Sequence, residues 1–281
     1  MDSFVFAAVL FAAVCHAGWN TVVKRGLDPL TTTVLMSIGA VVIGLAAMVV
    51  TGLPENAAWP WVIASVLIHI VYFAALIESY VSGDLSLVYP LARGAAPLMT
   101  ATATAALVGE HLSLTGWLGV AVLAAGVLLL SLRGSRDLER LDRRAIGFAL
   151  LTAVTICAYT VVDGIGARRA GSAHAYTAAI FFGIGISMAI YAVVRRGTPV
   201  FATMAQHWTM GLAGGGMQVT SYGIAIWAMT VAPIALVGAL RETSVLFGTI
   251  LAVVFLKEPL LMPRAVAAVM IVCGLVLIRL S

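Results

Sequence analysis

Residues 89–130 read YPLARGAAPLMTATATAALVGEHLSLTGWLGVAVLAAGVLLL, and residues 237–278 read VGALRETSVLFGTILAVVFLKEPLLMPRAVAAVMIVCGLVLI. Laid over each other at a shift of 148, they set Arg93 on Arg241, Glu110 on Glu258 and Gly126 on Gly274 without a gap. Two of these three matches are charged residues in apolar surroundings, where charge is rare. A weaker correspondence, at a shift of 140, sets Trp19 opposite Tyr159 and Asn20 opposite Thr160. The chain therefore reads as a duplication, with halves 1–132 and 145–281 joined by a basic linker, 133–144.

Composition says what the halves are made of. The chain has 281 residues, 62% apolar and 10% charged, with a mean hydropathy of +1.08. A soluble domain carries roughly a quarter charged residues. Too few charges are present to solvate a surface, which excludes a cytosolic globular enzyme, a disordered chain and a nucleic-acid-binding domain. Ten segments have the length and apolarity of a transmembrane helix: 3–23, 30–50, 61–82, 85–108, 113–132, 145–167, 175–194, 207–230, 233–256 and 261–278. The 64 residues left over are scattered among loops and termini, so no soluble domain fits. The runs are continuous, without the alternation of barrel strands. Five helices per half is an odd number, so the halves run in opposite orientations. The expected fold is an all-α membrane protein of ten transmembrane helices, built as two inverted five-helix repeats around a central cavity. Inverted repeats are a transporter signature, with the solute near the midplane and access alternating as the halves rock.

Basic residues set the orientation. Eleven of the sixteen Lys and Arg lie in or beside odd-numbered loops, five of them in 133–144, against Arg168, Arg169 and Arg279 on the other side. The positive-inside rule then places the odd loops in the cytoplasm and both termini outside. Met1–Phe4 lacks a basic n-region, so the first apolar run is expected to remain as a helix. Cys15, Cys157 and Cys273 lie far apart in apolar runs and show no metal-ligand spacing.

Arg93 and Arg241 are the two clear mid-segment charges. One reading makes them structural, paired with Glu78, Asp163 or Glu242. Another has one of them attract a carboxylate in the pathway. A third has them snorkel to an interface. In segment 4, Tyr89, Arg93, Pro97, Thr100 and Thr104 share one helix face, and Pro90 and Pro97 each free a carbonyl, marking helix bends that suit a gate. Segment 3 aligns His69, Tyr72, Phe73, Leu76 and Tyr80, with Glu78 pointing away. Segment 8 aligns Gln218, Ser221 and Tyr222. Segment 1 offers His16, Trp19 and Asn20, and segment 6 offers Thr155 and Tyr159. These stripes read either as ordinary core or as an aromatic-walled pocket for a small amphipathic or apolar solute. His16 and His69 read as hydrogen-bonded structural histidines or as proton relays. No acidic residue sits mid-segment as an obligate proton-coupling carboxylate would. No cofactor, metal or nucleic acid is expected, because phosphate-cradling, nucleophile-elbow and zinc-helix motifs are missing. The expected partners are a small-molecule solute and the bilayer, with the chain a monomer.

The ten segments, the duplication, and the fourth segment ending in Gly109-Glu110, followed by Gly116 and Gly126, resemble the drug/metabolite transporter superfamily. Lys257-Glu258-Pro259 and Gly274 fill the matching places in the second half. Within the superfamily the chain is similar to EamA-type ten-helix exporters, and among these to the YddG-type amino-acid exporters. The resemblance implies a basket around a cavity bounded by helices 1, 3, 4, 6, 8 and 9. It also implies export of aromatic and other neutral amino acids across a bacterial inner membrane. Val237 opposite Tyr89 and Gly238 opposite Pro90 depart from equal halves. The alternatives are a drug, nucleobase or nucleotide-sugar carrier and, more remotely, an intramembrane enzyme.

Overall fold

Hydrocarbon offers no water to backbone polar groups, so long apolar runs satisfy them within helices. The computed structural model describes residues 1–25, 27–82, 85–132, 143–256 and 262–281, and its regular structure there is helical. The helices are α1 (Ser3–Arg25), α2 (Pro29–Thr51), α3 (Trp59–Ser82), α4 (Leu85–Leu107), α5 (Leu114–Leu132) and α6 (Arg143–Arg168). They continue as α7 (Ala173–Arg196), α8 (Val200–Gln206), α9 (Trp208–Val231), α10 (Ile234–Arg241), α11 (Ser244–Leu256) and α12 (Met262–Leu280). Among the described residues six helices are long and apolar enough to cross a membrane, corresponding to α1, α2, α3, α6, α7 and α12. With 24 residues α9 has the length, but it carries glycines, Gln218, Ser221 and Tyr222 on its buried side.

Two features depart from the expected segments. A short helix, α8, occupies the connection before α9. More consequentially, segment 9 is not one helix: it breaks between Arg241 and Ser244. There the backbone tightens, with Glu242 N donating to Ala239 O (3.0 Å), Thr243 N to Leu240 O (3.1 Å) and Val245 N to Glu242 O (3.1 Å). The polar run Glu242-Thr243-Ser244 marks the place, and its counterpart in the first half is Gly94-Ala95-Ala96. α4, by contrast, is assigned as one helix through both Pro90 and Pro97.

Helix ends are tied by specific groups. The Asp28 carboxylate accepts from Thr31 N (3.2 Å) ahead of Pro29, a fixed-φ start suited to the first helical position. Gly52 and Gly197 end α2 and α7 at φ of 75° and 73°, a region that disfavours side chains. Glu110 reaches further: its Oε1 accepts from Ile234 N (2.9 Å) and from Arg168 Nη2 (2.9 Å), and its Oε2 from Ala235 N (3.3 Å). Arg168 also donates to Met229 O (2.9 Å) and Ala232 O (3.1 Å). The pair thus puts a cation on the last carbonyls of α9 and an anion on the first amides of α10, the favourable sense for both helix dipoles.

These links sort the two ends of the bundle. At one, Arg196 Nη1 meets Asp28 Oδ2 at 2.8 Å. Burial works to raise the Asp28 carboxyl, but Arg196 and Thr31 outweigh it and hold the group below its ordinary value. A carboxyl held low contributes stability above its unfolded pKa, about 4, and loses it as pH falls. With both partners over a third exposed, the effect is small. At the opposite end of α1 the termini meet, Arg279 donating to Met1 O (2.9 Å) and Ser3 Oγ (2.6 Å).

Packing between helices relies on close backbone approach at small residues. A Cβ placed on Gly126 would stand 3.0 Å from both Ile271 N and Ala267 O. One placed on Gly274 would stand 2.7 Å from Leu123 N and 2.9 Å from Gly119 O. Add 148 to 119, 123 and 126 and the other set results, so the α5–α12 contact is reciprocal. Where α2 crosses α7, Gly44 lies against Ala178 O and Gly185 against Ser37 O, again a reciprocal set, at a shift of 141. Longer-range pairing follows the same pattern, with α1 packed on α9 and α6 on α3. Val49, Val50, Leu107, Val194 and Met262 stay outward and exposed, an apolar exterior of the kind lipid covers.

Gly274→Leu is expected to lower the unfolding temperature of the detergent-purified protein by several degrees. Overpacking against fixed backbone costs about 1–3 kcal/mol. Gly147→Ala, where an added Cβ meets nothing within 4 Å, is expected to leave the temperature unchanged or raise it.

Candidate functional site

Side chains of α1, α3, α6, α7, α9 and α10 converge on a buried cavity of about 40 Å³. Its lining is His16 and Trp19 from α1, His69, Tyr72 and Phe73 from α3, Tyr159 from α6, and Phe181 and Ile184 from α7. Gln218, Ser221 and Tyr222 from α9 and Arg241 from α10 complete it. That volume has room for about three water molecules.

Aromatic rings build most of the wall. His69 stacks on Tyr159 with centroids 4.4 Å apart, and Tyr222 meets both rings edge-on at 5.7 Å. Tyr72 sets its edge against Tyr159 at 5.5 Å and Phe73 at 5.1 Å. Across the cavity His16 and Trp19 form a T-shaped pair at 4.9 Å. Such pairs favour edge-to-face and offset geometry because of the ring quadrupole, which fixes the wall as a unit.

Hydrogen bonds assign the histidine tautomers. His69 Nδ1 lies 2.9 Å from Ser65 O, which can only accept, so Nδ1 carries the proton. His16 Nε2 lies 2.7 Å from Arg93 Nη2, which can only donate, so this nitrogen is the acceptor of a neutral ring.

The charged groups divide into two arrangements. Arg93 is 1% exposed and sits behind His16, outside the cavity lining. Its Nε pairs with Glu242 Oε2 at 2.9 Å and its Nη2 donates to Ser244 Oγ at 3.0 Å. One guanidinium thereby joins α4 to α1 and to both sides of the α10–α11 break. Arg241, its counterpart in the second half, instead faces the cavity. It lies over the Tyr222 ring at 4.6 Å and over Tyr159 at 6.0 Å, cation–π contacts that strengthen when desolvated.

Asp163 also differs from the sequence expectation. It sits near the end of α6, yet is fully buried, and accepts hydrogen bonds from the hydroxyls of Tyr176 (2.9 Å) and Tyr222. A buried membrane carboxylate is therefore present, though mid-segment position did not reveal it. Tyr222 links it to Arg241, its hydroxyl on the acid and its ring face under the cation.

Of the residues singled out from sequence, His16, Trp19, His69, Tyr72, Tyr159, Gln218 and Tyr222 come together around the cavity. Asn20 is not in the lining, and its Nδ2 donates to His16 O one turn back (2.8 Å). Arg93, expected in the cavity, serves the ion pair with Glu242, while Arg241, grouped with the structural charges, lines the cavity. Pro97 is buried in an unbroken helix. The side chains of Glu78, Tyr80, Tyr89 and Pro90 lie outside the described residues. Phe181, Ile184 and Tyr176 went unremarked in sequence, because α7 is apolar on nearly every face and only its neighbours tell which side turns inward. Among the described residues no cluster of three His, Cys, Asp or Glu could hold a metal ion.

Comparison with known proteins adds family and fold. The EamA-like transporter family matches residues 3–132 and 143–280. A solved crystal structure of a protein 18% identical in sequence covers 100% of this chain and 99% of its own, with a TM-score of 0.76, a likeness of fold. No curated protein matches the chain.

Glu242→Gln is expected to be among the most damaging polar substitutions, because it leaves the buried Arg93 guanidinium without its carboxylate. Removing one partner of a buried pair costs about 3–5 kcal/mol. The double variant Arg93→Met/Glu242→Met, which removes both charges, is expected to recover much of that loss in thermal unfolding of the purified protein.

Proposed function

The chain belongs to the EamA-like transporter family, and from that premise we propose that it is a secondary transporter that exports small, largely apolar metabolites, above all aromatic and other neutral amino acids. It is a multi-pass membrane protein. The observation that carries the solute reading is the cavity itself: a wall of six aromatic residues and two histidines, with one guanidinium and one amide. Such a wall suits a solute with an apolar or aromatic body and little net charge. A nucleotide sugar would bring at least two phosphate charges against the single cation Arg241.

Alternating access of two inverted five-helix halves is the mechanism proposed. Supporting it, the family match covers the two halves, 3–132 and 143–280, and the reciprocal glycine contacts of α5 with α12 and α2 with α7 are what a two-fold relation between halves produces. The cavity takes residues from both halves. The meeting of the termini at one end fits an even number of crossings, counting α10 and α11 as one broken span. Broken helices beside a midplane site recur in carriers of this design. Positive-inside orientation puts the 133–144 linker in the cytoplasm of a bacterium, with both termini in the periplasm.

Purified protein in liposomes is expected to move labelled phenylalanine or tryptophan down its gradient, returned chemically unchanged. Flux no greater than that of empty liposomes across an amino-acid panel overturns the solute reading. His69→Ala removes the ring stacked on Tyr159 and is expected to lower that flux several-fold in a protein that still purifies as a monodisperse species.

A further inference from the structure

We propose that Arg241 and Gln218 are the two poles of the solute site, the guanidinium taking a carboxylate and the amide oxygen taking an ammonium or N–H donor of the same molecule. The inference rests on the transport reading above and names which groups would recognise the solute.

Both side chains line the cavity, and both are more than nine-tenths buried, at 4% and 8% exposure. Arg241 Nε and Gln218 Oε1 are buried atoms without a hydrogen-bond partner among the described residues. Buried polar groups are ordinarily satisfied, and each exception asks for a cause. Four other polar atoms of the lining are already engaged. His69 Nδ1 is held by Ser65 O, the Tyr222 hydroxyl by Asp163, Ser221 Oγ by Ala12 O and His16 Nε2 by Arg93.

Charge accounts for the cationic pole. Two buried arginines stand near the α10–α11 break, and the neighbouring carboxylate, Glu242, pairs with Arg93 at 2.9 Å. Asp163 is held by two tyrosine hydroxyls instead of by Arg241. Arg241 is thereby left without a carboxylate at ion-pair distance among the described residues, with tyrosine faces as its contacts. A tyrosine face steadies a cation but does not neutralise it, whereas a carboxylate does and takes two parallel hydrogen bonds from the guanidinium fork. The amide oxygen of Gln218 is an acceptor, the complement of an ammonium. One unsatisfied donor and one unsatisfied acceptor in the same aromatic enclosure fit a zwitterion whose side chain packs on the tyrosines.

The test measures binding by thermal shift and titration on the purified full chain, with four probes that share one ring. These are phenylalanine, phenylalaninamide, 2-phenylethylamine and 3-phenylpropionate. Phenylalanine is expected to bind, and loss of its carboxylate in the amide or amine is expected to weaken binding at least tenfold. Arg241→Gln should abolish that discrimination and Arg241→Lys should partly restore it. Gln218→Leu should weaken phenylalanine but not 3-phenylpropionate. If 2-phenylethylamine binds as tightly as phenylalanine, or Arg241→Gln keeps the discrimination, the cationic pole is overturned. Equal weakening of both acids by Gln218→Leu overturns the acceptor pole. Should Arg241→Gln fail to fold, the probe series on the unaltered chain and on Arg241→Lys decides. If phenylalanine does not bind but 3-phenylpropionate does, and Arg241→Gln loses it, the amino-acid reading fails while the carboxylate anchor stands. Binding of neither acid overturns the anchor.

Discussion

A guanidinium buried among helices must be compensated where it lies, and the arrangement around Arg93 follows from that constraint. Insertion of an Arg at the centre of a membrane helix costs roughly 2.5–3.5 kcal/mol. Glu242, Ser244 and His16 answer the cost from three other helices. The α10–α11 break belongs to the same arrangement. Helix bonding tightens around Glu242 and Thr243, so that Glu242 and Ser244, on either side of the turn, both reach Arg93. Had α10 and α11 formed one regular helix, residues two apart would face away from each other.

Sequence symmetry and structural asymmetry meet at this point. Arg93 and Arg241 occupy matching places in the two halves, but Glu242 is matched by Gly94. Gly94 instead lets α4 press on Leu128 of α5. The single carboxylate serves the arginine of the other half, and Arg241 is left facing the aromatic cavity. The two matching arginines thus differ in place, Arg93 joining helices and Arg241 lining the cavity. Tyr222 ties the second arrangement to Asp163, so the cation, the acid and the wall around them form one connected group across α6, α7, α9 and α10. Moving any of these helices relative to the rest would disturb all of it.

Much of this was readable without coordinates. Apolar length specified helices, because a backbone in hydrocarbon has few other ways to satisfy its polar groups. Helical spacing placed Tyr72 with His69, and Gln218 with Tyr222, on common faces, and these four side chains line the cavity. The break in segment 9 was less legible. Its sign, Arg241-Glu242-Thr243-Ser244 in an apolar run, is visible, but mean hydropathy averages over it. Phe181 and Ile184 gave no signal, since an apolar residue facing lipid and one facing a cavity look alike in sequence.

By itself, then, the sequence determined that the chain lives in a membrane, that it is helical, that its two halves share a pattern, and which residues share a helix face. These follow from composition and from periods of 3.6 residues, which are local properties. The tertiary structure decided which arginine meets the glutamate, that Asp163 is buried between tyrosines, and that Asn20 turns back on its own helix. It also decided that Arg241 and Gln218 enter one enclosure. Pairings of that kind join residues 77 to 151 positions apart, as with His16, Arg93 and Ser244. They depend on which helix packs against which, and no local period encodes that.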